Sequence, residues 1–107
     1  MAAKIHDHLT DQLFKVILSL KDQEQCYKFF EDICTIKELQ AISQRMRVAC
    51  LLDSGSNYIE VSEATGASSA TISRVNRCLH YGGGYRTALD HLKEEGKLGN
   101  DGHGMEA

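Results

Sequence analysis

Apolar positions recur at helical spacing along most of the chain. Leu9, Leu13, Val16, Ile17 and Leu20 fall on one face of a helix over 7–20. Cys26, Phe29, Phe30 and Ile33 do the same for a helix over 23–33, with Asp22 and Gln25 as its start signal. Thr35 and Glu38 form a capping box, because the hydroxyl can accept an early amide and the carboxylate can reach back. The helix they open, 36–53, carries Ile36, Leu39, Ile42, Met46, Ala49 and Cys50 on one side, and Ser54-Gly55-Ser56 ends it. A short helix follows at 58–65 with Asn57 as cap, and Gly66 stops it. Ser68 or Ser69 then caps a helix to about residue 80, with Ile72, Val75 and Leu79 inward. Gly82-Gly83-Gly84 reads as a flexible break before a last helix, 85–95, that carries Ala88, Leu89 and Leu92. No strand alternation is present, so the predicted class is all-α with six helices. Residues 1–96 form a single helical domain in this reading, and 97–107 a flexible Gly-rich tail.

Composition narrows the function classes. The 107 residues suit one domain and contain no Pro and no Trp. No apolar run approaches the ~18 residues needed to span a bilayer, so no membrane role is expected. The opening residues MAAKIHDHLTDQ lack the basic start and apolar stretch of a secretory signal, which predicts a cytoplasmic protein. Cys26, Cys34, Cys50 and Cys78 form no CxxC pair and read as buried thiols. The five His make no metal-binding pattern, although His6 and His8 stand two apart in a solvated N-terminus. Met46 and the Phe pair read as core. Glu60 and Glu63 read as capping or solvated groups, not as an acid–base pair. No nucleophile–base pair, metal set or phosphate loop supports an enzyme.

The net charge of −3 argues against a nucleic-acid partner until its distribution is considered. Residues 64–89 hold Arg74, Arg77 and Arg86 and no acid, while the flanking segments are acidic. Phosphate binding depends on the charge of one face, not of the whole chain. The basic window overlaps YIEVSEATGASSATISRVNR, residues 58–77, which has the form of a helix-turn-helix. Val61 and Thr65 are expected to meet Ile72 and Val75, small Ser62 and Ala64 to let the helices cross closely, Gly66 to supply a positive φ, and Ala67 to pack under the turn. At about 100° per residue, Ala70, Ser73, Arg74 and Arg77 point away from Ile72, Val75 and Leu79. Small side chains permit close approach to DNA, and Arg can bond guanine or phosphate. Ser68, Ser69 and Thr71 stand at the helix N-terminus, where free amides favour phosphate. The bland alternative is a helical hairpin with a solvated Arg face, serving as a protein-interaction adaptor.

The segments ELQAISQRMRVACLL (38–52) and GASSATISR (66–74) resemble the Trp-repressor superfamily, in its YerC/YecD-type, tryptophan-repressor-like branch. The resemblance covers 35–92, and the two earlier helices fit by count and order alone. It implies an intertwined, six-helix homodimer in which 58–65 and 69–80 form the DNA-reading unit. Ser62, Ser68, Ser69, Ala70, Thr71, Ser73, Arg74 and Arg77 are the DNA-binding candidates. In the Trp repressor two arginines sandwich an indole, and the matching positions here are Arg45 and Arg74. Thr35 matches a position near the ligand's carboxylate. Val75 replaces a pocket-floor glycine and Cys78 a serine. Thr35, Arg45, Arg74, Val75 and Cys78 are thus the candidate ligand pocket, but the added volume at Val75 argues against tryptophan as co-repressor. No cofactor is expected. The resulting expectation is a homodimeric transcriptional repressor reading a near-palindromic operator in double-stranded DNA. Leu9, Leu13, Val16, Ile17, Phe29, Phe30 and Ile33 are expected in an intersubunit core.

Overall fold

The structure is a computed structural model that describes residues 6–99, with side-chain exposure described for 6–96. It contains six helices: α1 His8–Ser19, α2 Gln23–Ile33, α3 Ile36–Asp53, α4 Tyr58–Thr65, α5 Ser69–Tyr81 and α6 Gly84–Gly99. No strand occurs among the described residues. The chain divides into one unit that extends to Leu39 and another that begins at Gln40. Of the tail expected over 97–107, residues 97–99 belong to α6 and the rest lie outside the described residues.

Local chemistry sets the helix starts in the first unit. The Asp7 carboxylate accepts from the Thr10 amide at 2.8 Å and so begins α1. Hydrogen bonding by Thr10 holds the Asp7 carboxyl below its ordinary pKa. Asp22 accepts from the Gln25 amide at 2.9 Å, and the Gln25 side chain accepts from the Lys21 amide at 2.8 Å. The Thr35–Glu38 capping box forms in both directions, at 3.1 and 2.8 Å. Phe29 and Phe30 meet edge to face, with centroids 5.3 Å apart. No side chain of α1 or α2 is buried. Leu9 is 78% exposed, and Leu18, Tyr27 and Ile33 are also exposed.

The second unit has a core of Val48, Ala49, Val61, Ala67, Ile72, Val75, Leu79 and Leu89, flanked by Met46, Cys50, Leu51, Leu52 and Tyr85. α5 packs against both α4 and α6. α3 ends in a Schellman motif: the Ser56 amide donates to the Leu51 carbonyl at 3.0 Å and the Gly55 amide to that of Leu52 at 3.1 Å. Gly55 takes φ 101° there, a conformation that disfavours any side chain.

Several expectations are corrected. Val48, outside the predicted stripe of α3, is 0% exposed, whereas Ile36 and Ile42 of that stripe are exposed. The buried Val48 and Ala49 are neighbours about 100° apart, so α3 is covered over a broad arc that a single-stripe pattern does not reveal. Of the three residues expected on the inner side of α6, Ala88 and Leu92 are exposed and Leu89 is buried. α6 starts at Gly84, which shortens the expected glycine break, and it runs through Gly96 to Gly99. One glycine costs a helix about 1 kcal/mol, which neighbouring turns can absorb. The cysteines are free, but Cys26 is exposed and Cys34, Cys50 and Cys78 are only half-buried. Partial burial pushes the Cys50 thiol pKa up.

Candidate nucleic-acid interface

The helix-turn-helix is built from three local devices. First, Asn57 and Glu60 form a reciprocal capping box at 2.8 and 2.9 Å that starts α4. Second, Gly66 ends α4 at φ 75°, with its amide bonded to the Ser62 carbonyl at 2.8 Å. Third, Ser68 caps α5 by accepting from the Thr71 amide at 3.1 Å.

Side chains then tie the turn together. The Thr65 hydroxyl donates to the Val61 carbonyl at 2.7 Å and accepts from the Ala67 amide at 3.1 Å. Thr65, which is half-buried, thus stitches the turn through its hydroxyl. Ser62 and Ala64 do not form the close crossing either, because both are exposed. The Ser62 hydroxyl instead donates to the Ala67 carbonyl at 3.3 Å. Gln44 Nε2 donates to the Thr65 carbonyl at 3.1 Å, bracing the turn on α3. Ala67 is buried beneath the turn, as the spacing predicts.

With the inner face set by Ile72, Val75 and Leu79, the outer face of α5 follows from helical geometry. Ser69, Ala70, Ser73, Arg74 and Arg77 are exposed. Among the described residues, neither Arg74 nor Arg77 makes an ion pair. Thr71 is half-buried, and its hydroxyl accepts from that of Ser68 at 3.2 Å. Ser68 and Thr71 therefore already serve the helix cap. The first backbone bond of α5 runs from the Ile72 amide to the Ser68 carbonyl, so the amides of Ser69 and Ala70 precede it at the positive end of the helix dipole. No acid lies in the first turn of α5.

The third cation of the basic window behaves differently. Arg86 is 2.7 Å from Asp53 and 3.4 Å from Asp90, so it belongs to an ion network and not to the open face of α5. Lys93 joins the same carboxylate at 2.8 Å. The bonds from Arg86 and Lys93 pull the Asp53 carboxyl down to about 2, and the Asp53 and Asp90 carboxylates in turn raise the pKa of Arg86. The Arg86–Asp90 pair is visible in sequence as an i,i+4 spacing. Asp53, Lys93 and Gln44 escaped the sequence reading because their partners are distant along the chain.

The residues of the candidate ligand pocket have varied settings. Thr35 uses its hydroxyl to cap α3 in the first unit. In the second unit Arg45 is half-buried, Arg74 is exposed, and Val75 is 2% exposed within the core. Cys78 is half-buried beside an open cavity of about 420 Å³ that Gly82, Gly84 and Tyr85 also line. No His/Cys/Asp/Glu group able to hold a metal occurs among the described residues, and no described helix is long and apolar enough to cross a membrane.

Comparison with known proteins gives a consistent result. The Trp repressor protein family profile matches residues 8–93, which takes in α1 and α2 as well as the segment that carries the sequence resemblance. The YerC protein of Bacillus subtilis (strain 168) is 54% identical over 92 residues, 85% of this chain and 88% of that protein. A TrpR-like protein from Eubacterium eligens is 49% identical, with a TM-score of 0.82 over 85% of this chain and 95% of that one. A candidate Trp repressor from Staphylococcus aureus is 42% identical, with a TM-score of 0.81 over 85% of this chain and 92% of its own. The match over most of the chain, in sequence and in fold, leads to one assignment: the chain belongs to the Trp repressor family.

Proposed function

We propose that this protein is a DNA-binding transcriptional repressor that reads a near-palindromic operator as a homodimer. Family membership supports DNA-binding regulation in general. The observation that carries the specific reading is the outer face of α5. It presents Arg74 and Arg77 beside small Ala70 and Ser73, without an acid, on a helix capped at its N-terminus and preceded by a turn braced on α3. In this reading α5 enters the major groove. Arg74 and Arg77 contact base edges or phosphates, Ser69, Ala70 and Ser73 allow close approach, and the amides at the start of α5 receive a phosphate. Ser62, Ser68 and Thr71 border that phosphate, with the last two holding the helix end in shape.

The exposed apolar side chains of α1 and α2 support a dimer, since a second copy would remove them from water. Two copies of α5 related by a dyad would read half-sites about 34 Å apart. A regulator of this kind works in the cytoplasm, where the DNA is. Tryptophan is not required in this reading. Val75 is packed in the core, and a ring needing its volume would have to displace buried side chains.

Selection of bound duplexes from a random pool tests the proposal. A symmetric motif, bound with steep salt dependence, is the expected outcome. Enrichment of no motif, with weak binding insensitive to salt, would overturn it in favour of a protein-interaction adaptor. Calorimetry with tryptophan tests the effector claim: saturable binding of one tryptophan per subunit, with a gain in DNA affinity, would refute it.

A further inference from the structure

The helix-turn-helix is bracketed by a single carboxylate. Asp53 is the last residue of α3, just ahead of α4, and its side chain is only 14% exposed. One oxygen accepts from Arg86 at 2.7 Å, and the other lies 2.8 Å from Lys93 Nζ. Both cations stand on α6, the helix that follows α5, and seven positions separate them, about two helical turns. One contact would let α6 swivel about Asp53. Two contacts spaced along the helix axis restrain its rotation as well as its distance. α6 in turn packs on α5, with Leu89 buried in the same core as Val75 and Leu79. The carboxylate therefore joins the segment entering the motif to the helix leaving it. It also holds Arg86 in an ion network, so that the cations left open near the reading face are Arg74 and Arg77.

We propose that Asp53 is a positioning residue for DNA recognition: through Arg86 and Lys93 it fixes α6, and through α6 the angle at which α5 is presented. This rests on the DNA-binding reading above. Angle matters for contacts to base edges, which need alignment, far more than for contacts to phosphates, which form on any duplex. Loss of the clamp should accordingly reduce discrimination between sequences, not binding as a whole.

The test compares the full chain with Asp53→Asn and with the double variant Arg86→Gln/Lys93→Gln. Each is titrated against a duplex selected by the wild type and against a scrambled duplex of equal length, at a temperature where circular dichroism reports full folding. Asp53→Asn should weaken binding to the selected duplex by about three- to thirty-fold, the range for residues that act through others. Binding to the scrambled duplex should hold or rise, because two cations are released. The double variant should lose discrimination too, without that rise. A clamp that merely supports folding would weaken both duplexes in parallel, in step with the melting temperature, and that result would overturn the proposal. Unchanged discrimination in both variants would also overturn it. Should Asp53→Asn fail to fold, Lys93→Gln at an exposed position carries the same comparison. Failure of the wild type to bind any duplex would refute the DNA-binding reading itself, a result distinct from either of these.

Discussion

Gln44 and Thr65, 21 residues apart, are joined by a hydrogen bond from the Gln44 side chain to the Thr65 carbonyl at 3.1 Å. Thr65 is the last residue of α4, so its carbonyl has no partner within that helix. The amide of Gln44 satisfies it and fastens the turn of the helix-turn-helix to α3. Gln44→Ala should lower stability by about 1 kcal/mol, the net value of a partly buried hydrogen bond. Gln44→Glu should cost more, because a carboxylate cannot donate to a carbonyl. Urea denaturation of the three proteins checks the order.

The two sides of α5 should respond to mutation in opposite ways. Arg74→Ala and Arg77→Ala should each weaken DNA binding by about 1–3 kcal/mol if they reach base edges, and less if they touch only phosphate. Both variants should melt like the wild type, since the side chains are exposed and make no ion pair among the described residues. Ile72→Ala lies on the buried side and should cost about 2–5 kcal/mol of stability. Parallel melting curves and binding titrations separate the two classes. Normal DNA binding by both Arg variants would show that the outer face has been misassigned.

Acid should weaken the Asp53 clamp in a defined window. The folded carboxyl sits at about 2, below its ordinary value of 3.8, so the unfolded chain takes up the proton first as pH falls. The stabilisation is complete above about pH 5 and is lost progressively as pH falls through 3.8 towards about 2. Arg86 stays charged throughout, its pKa being raised. Stability measured between pH 5 and pH 2 should fall less steeply in Asp53→Asn than in the wild type. Identical slopes would mean that the ion network contributes nothing in solution.

Self-association should be coupled to folding. α1 and α2 bury no side chain within the described chain, and an exposed apolar surface of that kind is costly in water. Light scattering at micromolar concentration should report twice the 11.9 kDa of the chain, and the melting temperature should rise with protein concentration. A Leu18→Glu substitution should shift the distribution towards monomer and lower the melting temperature. A stable 11.9 kDa species would contradict the dimer.

The helix starts and the buried and exposed sides of α5 were legible in the sequence because their causes are local. Asn57 with Glu60, Thr35 with Glu38, Ser68 and Gly66 act over three or four residues, where spacing alone dictates which amide meets which side chain. The sides of α5 follow from Ile72, Val75 and Leu79, whose spacing admits one buried face. Tertiary structure decided what depends on partners brought from far along the chain. Val48 is buried although it lies off the apparent stripe of α3, because the second unit wraps a wider arc than one stripe. Ser62 and Ala64 are exposed although their size suits a close crossing, because size permits contact without creating it. Arg86 left the basic window because Asp53, 33 residues earlier, offers a largely enclosed carboxylate. Local hydrogen bonds and helical period can be read along a sequence, but burial and long-range ion pairing depend on which surfaces the folded chain brings together.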